Sequence, residues 1–320
     1  MTAPFIDLVR GELKLVEEDI RARIGKHHPN FGVAIEQLLS SGGKRVRPTL
    51  TLLTGRMLGA EVESTVKLAA AIEMLHTATL VHDDLIDGSM LRRGLPTLNA
   101  QWTPGATVLT GDYMFARAAD LAAQTGSLFI MRRFAETLMT IVNGEITQLF
   151  NDQGEDLRQD YFDRIYAKTA SLFEVATQGA AVLGNAGEAL IEDMKQFGYN
   201  IGLAFQIVDD VLDIVGQEER VGKPIGSDLQ QGLITLPTLH YLENHPDNQD
   251  LKEVLNNGHI DEAGLARLVE AIRSSDAIER SLTEARQFVD SAIAHLAQLP
   301  ASPERNALQD LAQFMTQRSV

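Results

Sequence analysis

The chain contains no cysteine, which excludes disulfides, thiolate metal sites and cysteine nucleophiles. Basic residues are scarce: 28 Lys and Arg face 44 Asp and Glu, for a net charge of -16. A chain so acidic is not expected to bind nucleic acid. An anionic substrate would need a local basic patch or metal ions to offset that field. No stretch of about 20 uncharged apolar residues exists, so no membrane span is expected. The first residues, MTAPFIDLVRGELKLVEEDI, interleave apolar and charged side chains and lack a signal-peptide core. A soluble cytoplasmic protein is expected.

Proline is absent between Pro104 and Pro224. That interval is rich in Ala, Leu, Met, Glu and Gln, with apolar residues recurring three and four apart, as at Met131, Phe134, Leu138, Ile141 and Val142, then Ile165, Leu172 and Phe173. This spacing predicts long buried or amphipathic helices. Alternating strand patterns and a βαβ rhythm are missing. Breaks are expected at 40–48, 87–99, 151–159, 184–188 and 216–232, where Gly, Pro, Asp and Asn gather. None reads as a flexible linker. From about Leu251 the chain is amphipathic and poorer in chemical motifs.

What is present in excess is clustered carboxylate. Asp83-Asp84-Leu-Ile-Asp87 and Asp209-Asp210-Val-Leu-Asp213 are both D-D-x-x-D, and each ends a strongly apolar stretch, LAAAIEMLHTATLVHDDLID and IGLAFQIVDDVLD. Residues i and i+4 share a helix face, so Asp83 pairs with Asp87 and Asp209 with Asp213. Carboxylates gathered at the end of an apolar helix repel one another and lose water, so they call for a cation. Oxygen-only ligands suit Mg²⁺, which fills its octahedron with waters and substrate phosphates. A solvated helix end explains one such cluster equally well; two, each in an apolar helix, point to a metal–diphosphate site. The clusters lie in different thirds of the chain, so one site must draw on both. An all-α fold is therefore expected, as a single large domain over residues 1–320.

Cations flank the acids. Gly42-Gly43-Lys44-Arg45-Val46-Arg47-Pro48 sets three on a glycine-led turn, suited to a phosphate or simply a solvated basic turn; Pro48 fits the first turn of the next helix. Arg92-Arg93-Gly94 follows the first cluster, placed for a diphosphate or for ion pairing with the aspartates beside it. Lys168-Thr169 interrupts an apolar helix as two donors, or as a lysine snorkelling to the surface. Lys223 and Asp228 lie on a Gly/Pro loop after the second cluster, where Asp228 suits metal-bound water. His76 lies two turns before Asp83 on the same face, as a phosphate donor or a structural histidine. Gln206, three residues before Asp209, suits a pocket contact or a helix–helix hydrogen bond.

With these residues in place the chain resembles the trans-isoprenyl diphosphate synthases, or polyprenyl synthetases. GGKRVRP, EMLHTATLVHDDLIDGSMLRRG, GDYMFARA, YAKTASLF, FQIVDDVLDIVG and GKPIGSDLQQG before TLP match that family's blocks in order, from about residue 10 to the end. The likeness is greatest to long-chain members such as the heptaprenyl (catalytic component), octaprenyl and solanesyl diphosphate synthases.

The resemblance implies an all-helical fold of isoprenoid synthase type around a central apolar cavity, usually dimeric. It implies that Lys44, Arg47, His76 and Arg93 hold the diphosphate of isopentenyl diphosphate. Asp83, Asp87 and Asp209 ligate Mg²⁺ (about three ions once diphosphate is bound), with Asp213 in the same metal set. Asp84, Asp213 and Asp228 support the cluster, and Asp210 belongs to the catalytic set. Arg92, Lys168, Lys223 and Gln206 contact the allylic diphosphate or line its site, with Thr169 beside them. The expected partners are isopentenyl diphosphate and an allylic prenyl diphosphate, with a homodimer or a heteromeric partner subunit. One departure stands out: where many relatives have Gly-Lys before Thr-Leu-Pro, this chain has Gly232-Leu233. One cation toward short allylic primers is therefore missing.

The reaction implied is head-to-tail prenyl transfer. The allylic C–O bond breaks under Mg²⁺, in an apolar pocket that excludes water. The double bond of isopentenyl diphosphate attacks, and a proton leaves to the departing diphosphate. Thr169 and Gln206 are placed to steady the cation through their oxygen dipoles. Leu75, Ala78 and Thr79, one to two turns before Asp83, should line the tail's tunnel. Relatives with short products carry bulky aromatics near there, whereas Ala78 and Thr79 are small, so a product longer than geranylgeranyl is expected. Phe134, Leu138 and Met139 are candidates for a lower floor. Rival readings are a farnesyl or geranylgeranyl synthase, a class I terpene cyclase, a non-catalytic synthase subunit and a purely structural bundle. GGKRVRP argues against a cyclase, and two intact aspartate motifs argue against the last two.

Overall fold

The computed structural model describes residues 4–22, 32–33, 35–36, 38, 45–92, 94–150, 156–216, 225–258 and 260–317. Helix dominates them, as the proline-free interval and the three-to-four periodicity predict. The elements are α1 Pro4–Asp7, α2 Arg10–Arg21, α3 Val46–Met57, α4 Val62–Ile86, β1 Leu91–Arg92, β2 Leu95–Pro96, α5 Leu98–Gln101, α6 Pro104–Ala123, α7 Leu128–Leu149, α8 Leu157–Ile165, a π-helical segment Tyr166–Ala170, α9 Ser171–Leu183, α10 Glu188–Val215, α11 Ser227–Gln230, α12 Leu236–Asn244, α13 Gln249–Asn257, α14 Glu262–Arg273, α15 Ala277–Leu296 and α16 Pro303–Gln317. The helix starts follow local capping chemistry. Thr97, Thr103, Asp156, Asn248 and Asp261 each accept a hydrogen bond from a backbone N–H of the first turn.

The breaks expected at 87–99 and 184–188 fall between helices; of the other three, residues 40–44, 151–155 and 217–224 lie outside the described residues, and helices already begin at Val46 and Leu157. Segment 87–99 is not all loop: Leu91 pairs with Pro96 and Arg92 with Leu95 in a short antiparallel ladder. Segment 216–232 contains the one-turn helix α11. Among the described residues no helix is long and apolar enough to cross a membrane.

Contacts divide the chain into two compact units. One comprises Met1–Met139, Leu172–Gly198 and His295–Leu311, and the other Thr140–Ser171, Tyr199–Ala294 and Ala312–Val320.

The first unit is organised on α4. Leu68, Ala69, Ala70, Ala71, Ile72, Met74, Leu75 and Ala78 are all essentially without accessible surface. They occupy successive positions rather than a single stripe, so α4 is covered on several faces. Its small residues let neighbours approach closely. The approach of α6 depends on Gly111, where a Cβ would lie 2.2 Å from His82 Nε2. Two buried acids are paired: Glu73 with Arg45 at 2.5 Å and Glu174 with Arg133 at 2.5 Å. Arg45 opens α3 from a left-handed backbone at φ 47°.

The second unit packs Tyr161, Ile165, Leu203, Ile207, Val208, Val211 and Ile214 with Leu268 and Ile272 of α14 into one apolar core. Here the glycine that matters is Gly144 of α7, whose added Cβ would meet the Ala167 Cβ at 2.6 Å. That close approach seats α7 against the π-helical segment.

Candidate active site

Each unit carries one acidic cluster, and both clusters lie at the C-terminal end of a long apolar helix. Asp83 and Asp84 are in the last turn of α4, and Asp87 caps it, its N–H donating to the Asp83 carbonyl at 2.8 Å. Asp209, Asp210 and Asp213 fall in the last two turns of α10. This is the unfavourable end of the helix dipole for negative charge, so stability does not explain the placement. The placement suits a bound cation.

Within the first cluster the acids divide by environment. Asp84 is turned inward at 4% exposure, and the Arg92 guanidinium donates to its Oδ1 through Nε at 2.8 Å and pairs through Nη2 at 2.8 Å. Of the two sequence readings of Arg92, ion pairing with the aspartates is therefore the contact formed. Asp83 is half-buried and Asp87 exposed. The Asp84 carbonyl accepts from Ser89 N–H at 2.8 Å, and the Ser89 carbonyl accepts from Thr97 Oγ1 at 2.7 Å. Asp84 thus fixes the turn that carries Arg92. Next to it, His82 Nε2 lies 3.1 Å from the Val108 carbonyl.

In the same unit Arg47 is buried in α3, with its guanidinium 4.6 Å above the Phe173 ring, a cation–π contact. His76 is half-buried, and its carbonyl accepts from Thr79 Oγ1 at 2.8 Å. Leu75 and Ala78 have 0% exposure, so both are packed within the unit, whereas Thr79 keeps accessible surface. Of the floor candidates, Phe134 is buried, Leu138 is half-buried and Met139 is exposed. Lys44, Arg93 and Lys223 lie outside the described residues.

The second unit assembles most of the remaining predicted residues. Thr169 Oγ1 donates to Gln206 Oε1 at 2.6 Å, and Gln206 Nε2 donates to Asp210 Oδ1 at 2.9 Å. The Tyr161 hydroxyl donates to Asp210 Oδ2 at 2.7 Å. Lys168 pairs with Glu145 of α7 at 3.0 Å. Both Lys168 and Thr169 lie in the π-helical segment, where the wider turn re-aims side chains, as such insertions commonly do at functional sites. Their spacing in the sequence reads as ordinary α-helix. Asp213 is buried at 2% exposure, with Oδ1 accepting from Ser227 Oγ at 2.7 Å and Oδ2 from Asp228 N–H at 3.3 Å. It holds the start of α11. Leu233 N–H donates to the Asp228 carbonyl at 2.9 Å. Asp209 is half-buried.

Electrostatics set Asp210 apart. Burial, and then the charge of Asp228, push its carboxyl up to about 7, against the opposing hydrogen bonds from Gln206 and Tyr161. Burial also raises the Tyr161 phenol well above its ordinary range. A cation bound beside such a group reverses this preference. The donor set is carboxylate oxygen throughout, which fits a hard divalent ion. Among the described residues no three His, Asp or Glu side chains converge as a ready-made cage. Mg²⁺ held by one or two carboxylates and completed by phosphate oxygens needs none.

Tyr161, Glu145, and Ser227 as the partner of Asp213 were not legible as site contacts. Tyr161 reads as one more apolar position in a helix; only the fold sets its hydroxyl on Asp210.

Fold and site together define a helical protein with two carboxylate clusters suited to a divalent cation and an anionic substrate. The polyprenyl synthetase family model matches residues 28–272. The chain belongs to the polyprenyl synthetase family and is an enzyme of that class, a prenyltransferase. It is 37% identical over 308 residues to the heptaprenyl diphosphate synthase component 2 of Geobacillus stearothermophilus, covering 96% of each chain. To the octaprenyl diphosphate synthase of Escherichia coli K12 it is 37% identical, covering 88% of each. The polyprenyl synthase of Caulobacter crescentus CB15, solved with calcium and isoprenyl diphosphate, superposes with a TM-score of 0.92 at 36% identity, over 99% of this chain and 97% of that one.

Proposed function

We propose that this enzyme condenses isopentenyl diphosphate with an allylic prenyl diphosphate, head to tail and with Mg²⁺, to give a medium- or long-chain all-trans polyprenyl diphosphate. The observation that carries this reading is concentrated carboxylate at the C-terminal ends of α4 and α10, the wrong end of each helix dipole. The product range follows the heptaprenyl and octaprenyl synthases among the relatives and the small side chains of Ala78 and Thr79.

Mg²⁺, when bound, neutralises the leaving diphosphate and lowers the cost of breaking its allylic C–O bond. Asp83, Asp87 and Asp209, the more accessible acids, are the residues that hold it. Asp84, Asp210 and Asp213 orient the residues around them. Arg47 and His76, with Lys44 and Arg93, receive isopentenyl diphosphate. Lys168 and Lys223 meet the allylic diphosphate, and Arg92 approaches it from its ion pair with Asp84. Thr169 and Gln206 present fixed dipoles to the developing allylic cation. The proton lost after the new C–C bond forms goes to the departing diphosphate.

Each unit is assembled from separate stretches of chain, which supports reading residues 1–320 as one domain. The enzyme works as a homodimer. Support comes from α7, where Met139, Val142, Ile146 and Leu149, with Phe150 just beyond, expose 43–76% of their surface at helical spacing. A second, different subunit is the alternative, since the Geobacillus stearothermophilus relative is named a component.

Incubation with isopentenyl diphosphate and farnesyl diphosphate, with Mg²⁺ or with EDTA, tests the reading. Extension of the primer only with the metal is expected. Extension equal in EDTA overturns the metal assignment, and no extension by the homomeric protein overturns the homodimer or the activity.

A further inference from the structure

We infer that Tyr161 is a positioning residue for prenyl transfer: through Asp210 and Gln206 it fixes which way the Thr169 hydroxyl presents its oxygen. The inference rests on the reading of Thr169 and Gln206 as neighbours of the allylic group.

Tyr161 is fully buried in α8, and its ring packs edge-on to Phe162 at 5.2 Å within the core of the second unit. A phenol in an apolar core needs a partner, and its partner is Asp210 Oδ2 at 2.7 Å. The other oxygen of Asp210 accepts from Gln206 Nε2 at 2.9 Å. Both Asp210 oxygens therefore accept, one from the phenol and one from the NH₂ end of the Gln206 amide. The carbonyl end is thereby turned to Thr169, whose hydroxyl donates to it at 2.6 Å. With its one proton committed to Gln206, Thr169 has only lone pairs left to offer. An oxygen presenting lone pairs steadies a cation; one presenting a proton repels it.

The order of this relay is set at its buried end. Two donors, one on each oxygen, fix the plane of Asp210. Without the phenol, only Gln206 holds it, the carboxylate is free to turn, and the amide loses its reason to keep one orientation. Tyr161 touches neither Gln206 nor Thr169 by any of these bonds, so its effect on them passes through Asp210.

A double-mutant cycle on turnover tests this. Tyr161→Phe keeps the ring and its packing, so its melting temperature should stay within a few degrees of wild type. We expect kcat to fall about tenfold to a hundredfold, the scale of a hydrogen bond to a charged group, with KM for isopentenyl diphosphate unchanged. In a Gln206→Leu background, the same substitution should cost less than twofold, because the relay is already cut. Losses that multiply in the double variant, or a Tyr161→Phe kcat within twofold of wild type, would overturn the inference while leaving the prenyltransferase reading intact. A wild-type protein unable to extend any allylic primer would overturn both.

Discussion

Asp83 and Asp84 are neighbours with the same side chain, yet only Asp84 is buried and committed to Arg92. The second cluster repeats this division, with Asp210 buried against Tyr161 and Gln206 beside a more accessible Asp209. The two motifs diverge at their last residue, where Asp87 is exposed and Asp213 is buried against α11. The D-D-x-x-D pattern was plain in the sequence, as was an ion pair with Arg92, but the division of labour was not, because partners such as Tyr161 and Ser227 reach the aspartates from stretches of chain that periodicity does not connect to them. Two substitutions separate the roles. Asp83→Ala should lower turnover by about three orders of magnitude, taking several kcal/mol as the Mg²⁺ contribution, with a smaller melting loss than Asp84→Ala. Asp84→Ala leaves Arg92 without its carboxylate and should lower the melting temperature clearly, breaking a buried pair being worth about 3–5 kcal/mol before discounting for the partly exposed arginine. Thermal melts of both proteins beside their kcat values decide the matter; equal melting losses would contradict the division.

At the scale of elements, the helices were legible because proline is missing from 105–223 and apolar residues recur at helical spacing. The π-helical turn at Tyr166–Ala170 was not, since a wider turn leaves no compositional mark. Its setting depends on Gly144, where any Cβ would collide with the Ala167 Cβ at 2.6 Å. Gly144→Ala should therefore displace the segment bearing Lys168 and Thr169. Overpacking of this kind costs about 1–3 kcal/mol, and kcat should fall further than the small loss of stability explains. Full turnover in Gly144→Ala would show that the segment moves without harm. On α4, Ala78→Phe places a ring where a fully covered methyl now sits. The ring takes its volume from the neighbouring space, and the product should shorten by one or more isoprene units. An unchanged product with a lowered melting temperature would make Ala78 a packing residue only.

At the scale of the whole molecule, the acidic balance and the absence of cysteine bounded the chemistry without choosing it. Choosing it took the order of blocks along the chain, which a family match over residues 28–272 then established. The exposed apolar row on α7 belongs to this scale too, as the surface that the proposed dimer would cover. Ile146→Asp combined with Val142→Asp should convert a dimer to a monomer in light scattering after size exclusion, with the helical circular dichroism retained. A dimer that survives both charges has its interface elsewhere.

Product length carries the central claim. The purified protein would be given Mg²⁺, isopentenyl diphosphate and farnesyl or geranylgeranyl diphosphate, and its products read by mass spectrometry. The account predicts a ladder of prenyl diphosphates that ends in one species longer than geranylgeranyl diphosphate, in the heptaprenyl to nonaprenyl range. A ladder that stops at geranylgeranyl diphosphate, or release of a cyclic hydrocarbon, would contradict it.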